Sequence, residues 1–220
     1  MQRVIFAVIA VAAVLIIGGI FLLGRKQPPA PAPETSATIE NPDPLLKAHV
    51  ILGDPGAPIT VVEFSNYRCP HCRDHALKVL PRLVADYVEP GKVRYVFRTL
   101  PFRGQNDVFL ASVAAGCAFD QAKDRFLDYH LLLFRAVKDW AGLEDEALLQ
   151  KLTDYARQLS LDPEAFRACL ESDEARARVR FDQELAYALG VDGTPTFFVN
   201  GEKKVGYMPY ETWKEMLEKR

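Results

Sequence analysis

Apolar residues fall in three kinds of run along this chain, and each kind predicts a different element. Val4 to Leu23 is twenty residues without a charge, enough to cross a bilayer as a helix. Short runs rich in β-branched and aromatic residues predict strands at Ile59 to Phe64, Val93 to Arg98, Thr196 to Asn200 and Lys203 to Tyr207. In the first of these, Val61, Val62 and Phe64 do not alternate cleanly with polar residues, which predicts a strand buried on both faces. Helical spacing marks Arg73 to Val88, Asn106 to Phe119, Lys123 to Val137, Asp145 to Leu159, Pro163 to Leu170, Glu174 to Leu189 and Tyr210 to Lys219. Pro163 suits a first helical position behind Asp162. Pro81 predicts a kink inside the first helix, because it removes a backbone donor. Asn200-Gly201 reads as a hairpin turn. The order is a βαβ unit, a helical stretch, a β-hairpin and a last helix, an α/β architecture.

This pattern divides the chain into an N-terminal transmembrane anchor (1–24), a linker (25–45) and one domain (46–220) with a helical insertion at about 104–190. A cleavable signal peptide is the alternative to the anchor. Its apolar region is normally shorter and followed closely by a small-x-small site. Here Gly24-Arg25-Lys26-Gln27 follows directly, Ala30-Pro31-Ala32 runs into Pro33, and no lipobox cysteine is present. The linker carries six prolines between Gln27 and Pro44 and reads as a semi-rigid tether. Arg3 on one side of the apolar run and Arg25 and Lys26 on the other leave the positive-inside count almost undecided. Lys and Arg number 27 against 29 Asp and Glu, a balance that argues against nucleic acid as partner. No internal repeat is present.

Candidate chemistry concentrates at Cys69-Pro70-His71-Cys72, which follows the first predicted strand and opens the first predicted helix. A sulfur at a helix N-terminus meets unpaired N–H groups and the favourable end of the macrodipole, so Cys69 is expected as a thiolate, the form that attacks disulfides. Cys72 is spaced to close a ring or to resolve a mixed disulfide. His71 can add an N–H or a positive charge beside the sulfur. The competing reading is half of a zinc site, but Cys117 and Cys169 stand alone, without a second C-x-x-C. A soft-metal chaperone holding Cu(I) between the two thiols is a binding-protein alternative. Otherwise no metal site and no cofactor motif is evident, so the Cys69–Cys72 disulfide itself is expected to carry the electrons.

The stretch Val61-Val62-Glu63-Phe64-Ser65-Asn66-Tyr67-Arg68-Cys69-Pro70-His71-Cys72, taken with Thr194-Pro195 before the third strand, resembles the DsbA-like thiol–disulfide oxidoreductases of the thioredoxin superfamily over about residues 48–220. The resemblance implies a thioredoxin-like fold with a helical insertion. It implies that Pro195 is a cis-proline against the active-site disulfide, and that Thr194 offers its backbone to an extended substrate segment. It also implies that Glu63 is a buried acid relaying a proton to or from Cys72; the bland alternative is an exposed polar residue on a half-buried strand. A metal-holding dithiol has no need of such a loop or such an acid.

The expected activity is that of a disulfide donor to exported proteins. The domain would lie on the extracytoplasmic face of the cell membrane, since disulfide-forming chemistry belongs in an oxidising compartment. A membrane redox partner, quinone-coupled, would restore the disulfide. A reductase or isomerase of the same fold is the runner-up, because Thr194 before the cis-proline also occurs in reducing relatives. Cys117 and Cys169 fall on insertion helices and are either buried free thiols or a second, structural disulfide, which an even cysteine count in an exported protein favours. His49, His75 and His130 read as surface or packing residues, although His75 can add positive potential near the thiols. Tyr67, Phe102, Phe197 and Tyr207 fit either an apolar substrate groove or the core.

Overall fold

The computed structural model describes residues 43–220. The predicted anchor, and all of the predicted linker up to residue 42, lie outside the described residues. Among the described residues no helix is long and apolar enough to cross a membrane.

The β-branched runs form the expected strands, joined by one more. Strands β1 (Val50–Leu52), β2 (Ile59–Ser65), β3 (Val93–Thr99), β4 (Thr196–Val199) and β5 (Glu202–Val205) make one sheet in the order β1-β3-β2-β4-β5. The central pair β2 and β3 is parallel, and the other neighbours are antiparallel. Along β2 every residue but Thr60 is buried, as a central strand covered on both faces requires. Val61 and Glu63 point to one face and Val62 and Phe64 to the other, the period of two that a pleated strand imposes. Asn200 and Gly201 both take positive φ, 49° and 85°, and close the β4–β5 hairpin.

Helices cover both faces. After the short α1 (Asp43–Leu46) come α2 (Pro70–Lys78), α3 (Leu80–Leu83) and a π-helical turn, Val84–Val88. The predicted first helix is therefore broken, and the break lies at Val79, before Pro81. Pro81 sits in the first turn of α3, where its missing N–H costs no helical bond. The insertion contributes α4 (Asn106–Gln121), a 3-10 turn (Lys123–Arg125), α5 (Phe126–Arg135), α6 (Val137–Trp140), α7 (Asp145–Gln158), α8 (Pro163–Glu171) and α9 (Asp173–Ala188). Helix α10 (Tyr210–Glu218) follows the hairpin. At the start of α8 the Asp162 carboxylate accepts from the Glu164 and Ala165 amides at 2.9 and 3.1 Å, with Pro163 behind it.

A large core lies between the Val61–Glu63 face and α2, α4, α5, α7 and α10. A smaller one, with Leu45, Val62, Phe64, Val96, Leu100 and Phe198, lies on the other face. Helix α9 serves both: Ala175 and Val179 enter the large core, and Ala186 enters the small one. Cys117 of α4 and Cys169 of α8 are joined by a disulfide, 52 residues apart in sequence. It ties the first long helix of the insertion, α4, to α8.

Candidate active site

The Cys69-Pro70-His71-Cys72 segment lies where β2, through a tight turn, hands the chain to α2. Cys69 is the N-cap residue of α2, with extended backbone, and Pro70 takes the first helical position. The turn is closed by the Cys69 amide donating to the Asn66 carbonyl at 3.0 Å. Cys69 is half-buried, while Cys72 is fully buried against the sheet. Pro70 and His71 are exposed on the surface beside Cys69. The two sulfurs, both thiols in this structure, are therefore unequal: one meets solvent and the other faces inward.

Their ionisation is unequal as well. The Cys72 amide donates to Cys69 Sγ at 3.5 Å. Cys69 is drawn down to about 5, chiefly by a hydrogen bond from the Cys72 thiol, which outweighs the opposing effect of burial. The Thr194 side chain and the Cys72 and His71 amides add to the lowering. Burial, and then the Cys69 thiolate that it serves, push the Cys72 thiol far above the usual thiol range. At neutral pH the pair is one thiolate and one thiol, with the thiolate at the exposed position.

A second loop meets the sulfur from the sheet side. The Thr194–Pro195 peptide bond is cis, Pro195 is buried, and the Thr194 carbonyl oxygen lies 3.2 Å from Cys69 Sγ. In the thiol form Cys69 donates to that carbonyl. The loop is held by the Thr196 hydroxyl donating to Gly193 O at 2.8 Å and the Gly206 amide donating to Pro195 O at 2.8 Å.

Beneath the motif, Glu63 is completely buried. Its Oε2 accepts from the Tyr95 hydroxyl at 2.8 Å, and the Tyr95 oxygen lies 2.9 Å from His75 Nε2. Burial lifts Glu63 to about 7, against the lowering effect of the Tyr95 and Ser65 hydroxyls and with a further push from the Cys69 charge. The site thus holds a thiolate, a thiol and a carboxyl group that exchanges its proton near neutrality.

Comparison with known proteins shows the family. Residues 46–219 match a family model described as Thioredoxin. Disulfide bond formation protein D of Bacillus subtilis is 30% identical over 178 residues, which span 80% of this chain and 78% of that protein. The chain is a DsbA-like thiol–disulfide oxidoreductase of the thioredoxin family. Among solved structures this oxidoreductase is similar to oxidised BdbD from Bacillus subtilis, with a TM-score of 0.67 and 27% identity over 84% of this chain and 96% of that one. It is similar also to α-DsbA1 of Wolbachia pipientis, with a TM-score of 0.67 and 26% identity over 77% of this chain and 89% of that one.

The oxidoreductase brings Cys69, Cys72, Glu63, Thr194 and Pro195 together, with Pro70 and His71 on the rim. The Cys117–Cys169 bridge lies apart, within the insertion. Two residues that the sequence did not single out for this site, Asn66 and Tyr95, belong to it, and His75 joins them in another role than the one expected. Asn66 donates through its amide N–H to Cys72 Sγ at 3.5 Å. Through its side chain it also donates to the Leu100 carbonyl and Gln105 Oε1, both at 2.8 Å, tying the turn to the loop after β3. Tyr95 and His75 complete the network around Glu63. The expectation that His75 adds positive potential is corrected: the ring is fully buried, and desolvation lowers it to about 3, so it is neutral. Tyr67 and Phe197 are core residues rather than groove lining, whereas Phe102 and Tyr207 are half-buried.

Proposed function

We propose that this oxidoreductase is a disulfide donor to exported proteins, held to the membrane by Val4 to Leu23 with its catalytic domain on the extracytoplasmic face. The observation that carries the reading is the ionisation contrast between a half-exposed Cys69 thiolate near 5 and a buried Cys72 thiol. A stabilised thiolate stabilises the reduced enzyme, and so makes the Cys69–Cys72 disulfide the more oxidising.

In the oxidised enzyme a substrate thiolate attacks Cys69 Sγ, and the Cys69–Cys72 bond breaks. Cys72 leaves as a thiolate and takes a proton from Glu63, whose carboxyl exchanges near neutral pH. The Thr194 backbone beside the sulfur supports pairing with an extended substrate segment. A second substrate thiolate then attacks the substrate sulfur of the mixed disulfide and expels Cys69. The low value of Cys69 makes it a good leaving group. The substrate loses two electrons and gains a disulfide, and the enzyme is left as one thiolate and one thiol. No other cofactor takes part in this reading; a quinone-coupled membrane partner removes the two electrons.

The equilibrium of the Cys69–Cys72 pair in graded glutathione buffers tests the direction. A potential above about −180 mV supports the donor, and one below about −250 mV overturns it in favour of a reductase fed through the membrane.

A further inference from the structure

Three neutral or near-neutral groups, Glu63, Tyr95 and His75, form an unbranched chain under the dithiol, and the positions of its protons follow from counting. Tyr95 has one hydroxyl proton and gives it to Glu63 Oε2 at 2.8 Å. At its 2.9 Å contact with His75 Nε2 the Tyr95 oxygen can therefore only accept. That Nε2 carries the imidazole proton. A neutral ring has one, so Nδ1 is a bare lone pair, and it has no partner among the described residues.

Both supporting groups stay neutral. His75 is lowered to about 3, first by burial and then by His130, and Tyr95 is raised well above the usual tyrosine value, first by burial and then by Glu63. The imidazole is packed between Phe197 and Trp213, at ring distances of 4.7 and 5.6 Å, which fixes its plane. A proton on Oε2 would require Tyr95 to turn its O–H to His75. His75 would then have to move its own proton to a solvent-inaccessible Nδ1. The other carboxylate oxygen, Oε1, has no hydrogen-bond partner among the described residues, and neither has the nearby Ser65 hydroxyl, so Ser65 acts on Glu63 without closing a hydrogen bond to it.

We propose that Tyr95 and His75 are positioning residues of the proton relay: a pinned donor chain that occupies Oε2 and reserves Oε1 as the atom where Glu63 takes up and releases its proton. The proposal rests on the relay role given to Glu63 above. The titratable groups facing Glu63 are Tyr95 from β3, Cys69, Cys72 and His75 from the start and body of α2, and Tyr67 from the turn after β2; the Ser65 hydroxyl on its own strand is polar but does not titrate. His130 of α5 acts on His75, and β4 faces Glu63 with Phe197. A donated hydrogen bond favours the carboxylate, and its donor is itself strengthened by accepting from Nε2–H.

The test uses the full-length protein with Cys69 in a mixed disulfide to a cysteine peptide. The rate at which Cys72 displaces the peptide is followed from about pH 5 to about pH 9. The wild type is expected to show a step that Glu63→Gln removes. Tyr95→Phe is expected to move its midpoint up by about one unit, a rate about tenfold lower on the acid side. His75→Leu moves it less in the same direction. His75→Gln, whose amide N–H can stand at the Nε2 position, restores it. An unmoved midpoint in both Tyr95→Phe and His75→Leu overturns the proposal. A wild-type step that survives Glu63→Gln overturns the relay and the proposal with it, whereas the glutathione equilibrium reads the exchange activity separately. If Tyr95→Phe does not fold, the wild-type infrared band of the protonated Glu63 carboxyl decides. A hydrogen-bonded C=O supports Oε2 as the occupied oxygen, and a free C=O refutes it.

Discussion

Single side chains set the chemistry of this site more than the shape of the loop does. Cys69 is stabilised as a thiolate first by the Cys72 thiol, so the two cysteines are an acid–base pair before they are a redox pair. Alkylation of Cys69 by iodoacetamide is therefore expected to rise with pH around a midpoint near 5. In Cys72→Ala that midpoint moves up by about one to two units, because the strongest donor is gone while burial still opposes ionisation. A midpoint unchanged in Cys72→Ala would assign the thiolate to the helix end alone. Asn66 meets Cys72 Sγ through its backbone amide, and its side chain holds the turn in place. Replacing Asn66 by Ala leaves the buried Leu100 carbonyl without its side-chain donor and frees the turn from the loop after β3. Urea unfolding of Asn66→Ala should show a loss of about 1–3 kcal/mol.

At the level of elements, what was legible in the sequence was what local chemistry dictates. Four strands announce themselves as β-branched and aromatic runs, and the Cys69–Cys72 spacing announces itself between a strand and a helix. Strand β1 does not, since three residues, Val50–Leu52, carry no period and are a strand only because they pair with β3. The division of the first helix at Val79 was hidden for a related reason: Pro81 is compatible with either a kink or a new first turn, and packing chooses the second. Tyr95 was unreadable as a site residue because its neighbour Glu63 is 32 positions away and reached only through the parallel register of β2 and β3. His75 was readable as a helical surface or packing residue, but not as a hydrogen-bond partner of Tyr95. The insertion adds a constraint of its own. Replacing both Cys117 and Cys169 by Ser opens a loop of 52 residues and should cost about 4 kcal/mol in urea unfolding. The Cys69 alkylation midpoint should stay near 5, since none of the groups that set it lies on that loop. A midpoint that moved would make the bridge part of the redox site.

For the molecule as a whole, the same ionisations make stability depend on pH differently in the two redox forms. His75 and His130 are both lowered to about 3 by burial, so the stability of holding them neutral is present above the ordinary value of 6.5 and lost as pH falls through that range. Glu63 and Asp182, raised chiefly by burial to about 7 and about 6, act oppositely: their contribution is present at low pH and lost as pH rises through those values. These four groups are present in both redox forms and partly cancel, with the Cys69 charge adding the smallest part of the Glu63 rise in the reduced form alone. Cys69 and Cys72 titrate in the reduced form alone, and Cys72, raised far above 9.0 chiefly by burial, works against the reduced form only above about pH 9. The folded value of Cys69 near 5 lies below the ordinary 9.0, so its contribution is complete above about pH 9 and disappears as pH falls through 5. The reduced protein should therefore gain on the oxidised one steadily between those limits, by about 2–3 kcal/mol once screening of the half-exposed sulfur is allowed for. Urea unfolding of both forms at pH 5, 7 and 9 measures the gap directly, across the window bounded by the folded and ordinary values of Cys69. A gap that stays constant with pH would mean that Cys69 is no more acidic in the fold than in the unfolded chain. The oxidising character of the disulfide would then need another source. A gap that widens as predicted ties the thermodynamic drive for donating a disulfide to one helix-capping sulfur and the thiol that serves it.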